Sequence, residues 1–254
     1  MTQFPPGTFS PSPQRASVAS ILKVQGAIES RLMLRHGEQL LLSLIIPVAL
    51  LLAGSRLPLK SAMGDIQQLY PMILAVAVTS AGFTGQAIAL AFDRRYGALK
   101  RTGASGVPSW AIIAGKVLGV LTMVLVQVLV LSATAFAVGF RTDVQGVLLG
   151  GLTLIAGVAT FTSLGLILGG TLSSEIVLAV ANLFWFALLG VAGWTLYAQG
   201  LGDNGLLNIV PTVALAAGLS EAFTGSLPVL PLLSLAAWAV ASSVLAAKWF
   251  RFEG

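Results

Sequence analysis

Cysteine is absent from the 254 residues, and there is a single histidine, His36. Without thiols there are no disulfides, thiolate metal sites or cysteine nucleophiles, and one imidazole does not build a histidine metal centre. Charge is scarce too, since Asp, Glu, Lys and Arg together make 9% of the chain. Asp93, Asp143 and Glu175 fall at the ends of apolar runs, and Asp203 and Glu221 lie between runs. The intramembrane acids of ion-coupled pumps are therefore missing, which disfavours a proton-driven secondary transporter. No GxxxxGK[ST] phosphate loop occurs, and Gly103-Ala104-Ser105-Gly106-Val107 misses the GxSxG spacing by one residue. Neither ATP hydrolysis nor serine hydrolase chemistry is expected of this chain, nor a metal or cofactor of its own.

What the chain has is hydrocarbon: 56% hydrophobic residues and a mean hydropathy of +0.92. Apolar runs long enough to cross about 30 Å of bilayer recur along it, so an all-α polytopic membrane protein is expected. Spans are expected at about 39–55 (with Pro47), 71–92, 111–140, 146–170, 176–197 and 229–247. The Pro- and Ser-rich residues 1–17 read as a disordered cytosolic tail before one transmembrane domain, 18–254. From Val18 to Glu38, Val18, Ile21, Leu22, Ile28, Leu32 and Met33 can share one side, with Lys23, Glu29, Arg31 and Arg35 elsewhere. That pattern is an amphipathic helix lying in the membrane interface.

Residues 198–226 hold Asn208, Pro211, Glu221 and several glycines, a poor span that reads as a short, partly re-entrant external element. Of the 14 Lys and Arg, eleven fall on one side of this six-span layout and three (Arg56, Lys60, Arg141) on the other. The basic side faces the cytoplasm, so both termini are expected there. Net charge is +5 and the sequence pI about 10.0, with the basic residues in membrane-flanking loops, so they read as topology signals and not as a nucleic-acid surface. Lys116 is expected to snorkel to the headgroups.

The densest charge is Asp93-Arg94-Arg95-Tyr96-Gly97-Ala98-Leu99-Lys100-Arg101, where five of nine residues are charged. Such a cluster cannot sit in hydrocarbon, so it marks a cytosolic loop between the second and third spans. Ser173 or Ser174 is placed to N-cap the fifth span, with Glu175 in its first turn. The glycine pairs Gly115/Gly119, Gly146/Gly150 and Gly165/Gly169 permit close helix approach, within the chain or between copies. Thr79, Gln86, Gln127, Asn182 and Trp185 lie within spans, where they line a substrate path or bond across helices.

The basic run, followed by Gly103-Ala104-Ser105-Gly106-Val107-Pro108-Ser109-Trp110 and Ala114-Gly115-Lys116, resembles the permeases of ABC-2 type transporters. These are bacterial exporters whose ATPase is a separate chain. The six spans, the N-terminal amphipathic helix and the semi-inserted element before the last span are similar as well. One departure is the pair Gly106-Val107 between Ser105 and the proline. The resemblance implies two permease subunits around a central path in the bacterial inner membrane, with ATP and Mg bound by two ATPase subunits below. It also implies that 93–101 is a coupling helix seated in an ATPase groove. Arg94, Arg95, Lys100 and Arg101 would pair with acidic groups there, Tyr96 and Leu99 would be anchors, and Gly97 would permit close approach. A hydrophobic or amphipathic substrate, such as a drug, antibiotic or lipid, suits the weakly polar spans. The alternative is a non-transport scaffold or sensor that recruits a cytosolic partner through the same loop.

Overall fold

The computed structural model describes residues 16–35, 37–56, 65–104, 106–202 and 204–249. The tail up to residue 15, His36, the loop bearing Pro58 and Lys60, Ser105, Asp203 and the terminus bearing Arg251 lie outside the described residues. Among the described residues the regular secondary structure is entirely helical. α1 spans Val18–Arg35 and α2 Gly37–Arg56. α3 (Ile66–Thr79) runs through a π-helical segment, Ser80–Gly85, into α4 (Gln86–Arg95). A short α5 (Ala98–Ala104) precedes α6 (Ser109–Ala137), α7 (Val144–Thr171) and α8 (Ser174–Gln199). A 3₁₀ turn, Gly205–Ile209, then leads to α9 (Pro211–Phe223) and α10 (Val229–Trp249).

Five of these stretches are long and apolar enough to cross a membrane: Ile66–Arg95, Trp110–Ala137, Val144–Thr171, Ser174–Gln199 and Val229–Ala246. In α2 the apolar part is shorter, Ser43–Ser55. The protein is thus a multi-pass, all-helical membrane protein. The expected second span is extended at both ends. Asp65 caps its start by accepting from the Ile66 amide at 2.7 Å, and its last turn carries Arg94 and Arg95. Asp143 caps α7 in the same way, accepting from Gly146 N at 2.6 Å.

All three glycine pairs serve contacts within the chain. A Cβ on Gly115 would stand 2.9 Å from Gln25 Cβ, and one on Gly150 would stand 2.5 Å from the Phe223 ring. On α7, a Cβ at Gly165 would meet Gly82 O at 2.7 Å, and one at Gly169 would meet Ala87 O at 2.4 Å. The π segment and the start of α4 therefore lie backbone to backbone on α7. A π turn widens the helix by one residue per turn, and here the residues at the contact, Gly82 and Gly165, leave no side chains between the two backbones.

The segment after α8 is more interior than its polar residues suggest. Leu201 N donates to Gln68 Oε1 at 3.2 Å, near the start of α3. Thr212 Oγ1 then donates to Leu188 O at 3.0 Å, midway along α8. By Phe223 the chain is back beside Tyr70 and Phe140, with ring centroids 5.5 and 5.2 Å away. α9 is 13 residues, about 20 Å at 1.5 Å per residue, and so too short to cross. Residues Val213 to Ala217 and Leu219 have no exposed surface at all. This helix of small residues is surrounded by α3, α7, α8 and α10. The short element expected here is thus a helix packed among the spanning helices.

Glycine spacing yields a paired prediction. Gly169→Ala is expected to destabilise the protein by roughly 1–3 kcal/mol through overpacking against backbone. Gly151→Ala, on the same helix with nothing within 4 Å of its Cβ, is expected to be neutral or stabilising. Thermal unfolding of the two variants in detergent checks this, and equal shifts would refute the packing account.

Candidate functional site

One end of the bundle collects the charge. α4 ends and α5 begins there, and α6 and α8 begin where α7 and α10 finish. α4 runs helical through Arg95, and Tyr96 N still donates to Phe92 O at 2.9 Å. Gly97 then takes φ +69°, a left-handed conformation that ends the helix at little cost only for glycine. The chain restarts as α5, with Arg101 N donating to Gly97 O at 3.1 Å. Residues 93–101 are therefore not one helix but a helix end, a glycine break and the start of a second helix.

The break sorts the basic residues. Arg94 points inward: it is 8% exposed, and its Nη1 donates to Gly169 O at 2.8 Å and Leu172 O at 3.0 Å. It caps the last carbonyls of α7, where a cation is favoured by the helix dipole. Arg95 Nη1 donates to Ser174 Oγ at 3.1 Å and forms an ion pair with Glu175 in the first turn of α8. The two arginines thus clamp the tight turn between α7 and α8. Ser173 occupies the N-cap of α8 without a side-chain cap bond. Leu99 is 3% exposed and packs with Leu90, Ile112, Leu166 and Ala246. Arg94 and Leu99 therefore belong to the chain's own interior, which removes them from the surface expected to meet a partner. Tyr96, Lys100 and Arg101 are exposed, Tyr96 at 65% and stacked on Phe92 with centroids 5.9 Å apart.

Asp93 and Lys116 form a second tie. Lys116 does not reach out to headgroups. It is buried, and its Nζ donates to Asp93 Oδ2 at 2.6 Å and to Glu29 Oε1 at 3.2 Å. One ammonium thereby joins α1, the end of α4 and the first turns of α6. Around it, Gln25 meets Gly115, Glu29 meets Gly119, and Ser30 Oγ lies 2.8 Å from Thr122 Oγ1. The register rises together along both chains, so α1 runs parallel to the first half of α6. Val24, Ile28 and Leu32 remain exposed on its other flank. Gln25, Gly26, Glu29 and Ser30 thus face the protein, Met33 packs against the core, and Lys23, Arg31 and Arg35 are exposed beside the apolar stripe.

The five polar and aromatic span residues do not form one lining. Thr79 and Trp185 share a small cleft with Met72, Val76, Leu189 and Thr212, between α3, α8 and α9. Thr79 Oγ1 donates to Ala75 O of its own helix at 2.8 Å. Gln127 is buried and donates to Ser43 O at 3.4 Å, tying α6 to α2. Gln86 is buried at the end of the π segment. Asn182 sits on the open side of α8, beside exposed Leu183, Phe184 and Phe186. Only 17% of the most apolar window of α8 is buried, against 67% for Ile66–Arg95. Among the described residues no group of His, Cys, Asp and Glu is placed to hold a metal.

The ion cluster makes a test. Lys116→Met would leave two facing carboxylates, one of them largely buried, and is expected to cost about 3–5 kcal/mol. Adding Glu29→Gln and Asp93→Asn is expected to recover much of that loss, because neutral groups need no counterion. Thermal unfolding of the single and triple variants decides it, and a harmless single variant would refute the cluster's role.

No curated protein and no solved structure matches the chain. The family model of the ABC-2 type transporter matches residues 22–200, more than half of the chain. That match covers α1, the basic end, α6, α7 and α8. The chain therefore belongs to the ABC-2 type transporter family, as a non-catalytic membrane permease component of an ABC-type transporter.

Proposed function

We propose that this chain is the permease subunit of a bacterial ABC exporter, driven by a separate ATPase chain that binds ATP and Mg. The observation that carries the reading is the basic end. An exposed surface of Tyr96, Lys100 and Arg101 sits on a segment tied to α7 by Arg94, to α8 by Arg95, and through Asp93 and Lys116 to α1 and α6. A push on α5 is thereby delivered to four helices at once. Basic and aromatic groups of this kind suit an acidic groove with an apolar pocket. The coupling helix is then α5, joined to α4 through the turn at Gly97 and rooted in the core by Leu99.

In this reading α2 is the first of six spans and the basic end faces the cytoplasm, with both termini on that side. The protein lies in the bacterial inner membrane, where exposed Trp194 and Tyr197 of α8 suit the opposite interface. The dip after α8 and the rise of α9 make a re-entrant element. The open face of α8, with Asn182 among leucines and phenylalanines, is turned to a second permease subunit, identical or related. The Thr79–Trp185 cleft lies beside it, where a hydrophobic or amphipathic substrate (drug, antibiotic or lipid) would pass.

The roles of the arginines and of α5 separate by mutation. Lys100→Glu/Arg101→Glu is expected to leave a monodisperse, thermally normal permease that no longer co-purifies with a Walker-A ATPase and no longer transports. Arg94→Glu is expected to lose stability itself, by uncapping α7. Mild-detergent affinity purification with mass spectrometry reads both. If the double variant still captures the ATPase and transports normally, the coupling role of α5 is wrong. If the unaltered chain captures a cytosolic protein that is no ATPase, the scaffold reading takes its place.

A further inference from the structure

A groove of about 840 Å³ opens between the 205–209 turn and α10, within the range of small-molecule pockets, about 300–1,000 Å³. Its walls include Leu206, Ile209, Leu233, Trp238 and Ala241, with no charged residue among them. Leu206, Ile209 and Leu233 are 84%, 62% and 62% exposed, so the opening is lateral and apolar. Trp238 lies midway along α10, which places the groove within the thickness of the spanning helices.

The side-chain polar groups around the groove are spent, except for one residue. Trp238 Nε1 donates to Ile209 O at 2.7 Å, and Ser234 Oγ donates to Asn208 O. These bonds pin the turn to α10. Asn208 itself is 2% exposed, and neither Oδ1 nor Nδ2 of its carboxamide has a partner among the described residues. An amide held away from water with both ends unpaired is costly, so such groups are ordinarily satisfied by something. What satisfies this one must bring both a donor and an acceptor, and it must be uncharged, because the walls hold no counterion. Asn208 is itself among the residues that line the groove.

We propose that this groove binds a neutral long-chain amphiphile, in chemistry a fatty alcohol or fatty amide, taken laterally from the bilayer. Its hydrocarbon lies along Leu206, Ile209 and Leu233, and its polar end pairs with the Asn208 carboxamide. The site is independent of which molecule the permease carries and of the ATPase.

The test uses the full chain in phosphatidylcholine nanodiscs, photolabelled with a diazirine-bearing hexadecanol and, separately, a diazirine-bearing hexadecane. Adducts are mapped by mass spectrometry. The alcohol is expected to label 205–209 and 229–241 several-fold more than the exposed α8 face at Leu183 and Phe186. The alkane is expected to show no such excess. Asn208→Leu should abolish the alcohol's preference, and Ala241→Phe should lower labelling by both probes. Should either variant fail to fold, competition by unlabelled hexadecanol on the unaltered chain gives the same reading. Uniform labelling, or equal labelling by alcohol and alkane, overturns the proposal. So does efficient disulfide formation between copies of Leu233→Cys, which is unambiguous in a chain with no cysteine, because the face would then be a subunit interface.

Discussion

A cation inside an apolar bundle must be neutralised by its own chain, and much of the architecture at the basic end follows from where Lys116 finds its partners. Its side chain is only 4% exposed, so Glu29 and Asp93 serve as its counterions. Those two carboxylates come from α1 and from the end of α4, elements separated by the whole of α2 and α3. Satisfying one charge therefore fixes the lie of the N-terminal helix and the position of the loop that follows α4. Arg94 acts in the same way on α7, spending its donors on Gly169 and Leu172 carbonyls that the helix leaves open.

The result is an end of the molecule in which rigidity and accessibility are divided between neighbouring residues. Asp93, Arg94 and Arg95 hold the chain's own helices. Beyond the left-handed Gly97, side chains of α5 are offered outward while Leu99 roots the short helix in the core. A lever for a partner needs both properties, a surface to grip and a stiff attachment. Within the bundle, stiffness comes from backbone proximity. Glycines on α6 and α7 bring α1, the π segment and α9 so close that a methyl group would collide.

Inside the bundle, polarity is sparse and mostly local. Thr79, Thr153, Thr160 and Ser163 return their hydroxyls to carbonyls one turn back, which satisfies them without marking a path. The open face of α8 and the groove beside Asn208 are two of the places where apolar surface is left without a covering element of this chain. They are on different elements, and they ask for different occupants: a helix-sized partner for the first and a slender molecule for the second.

Composition and spacing alone determined the class, the positions of the long helices and the location of the basic end, because hydrocarbon thickness and the cost of burying charge act on any sequence in the same way. The glycine pairs were also legible, since close approach requires them whatever the partner. What the linear pattern could not decide was which way each charged or apolar side chain of 93–101 turns. That depended on Gly97 taking a left-handed turn and on the carbonyls of α7 waiting within reach of Arg94. Nor could it assign Lys116, whose carboxylate partner Glu29 lies on a helix 87 residues away in the chain. The depth of α9 within the bundle was hidden for the same reason. Its alanines, glycine and hydroxyls look unremarkable in a row, and only packing against α7, with Gly157 and Gly150 opposite Leu215 and Phe223, makes it the centre of the core.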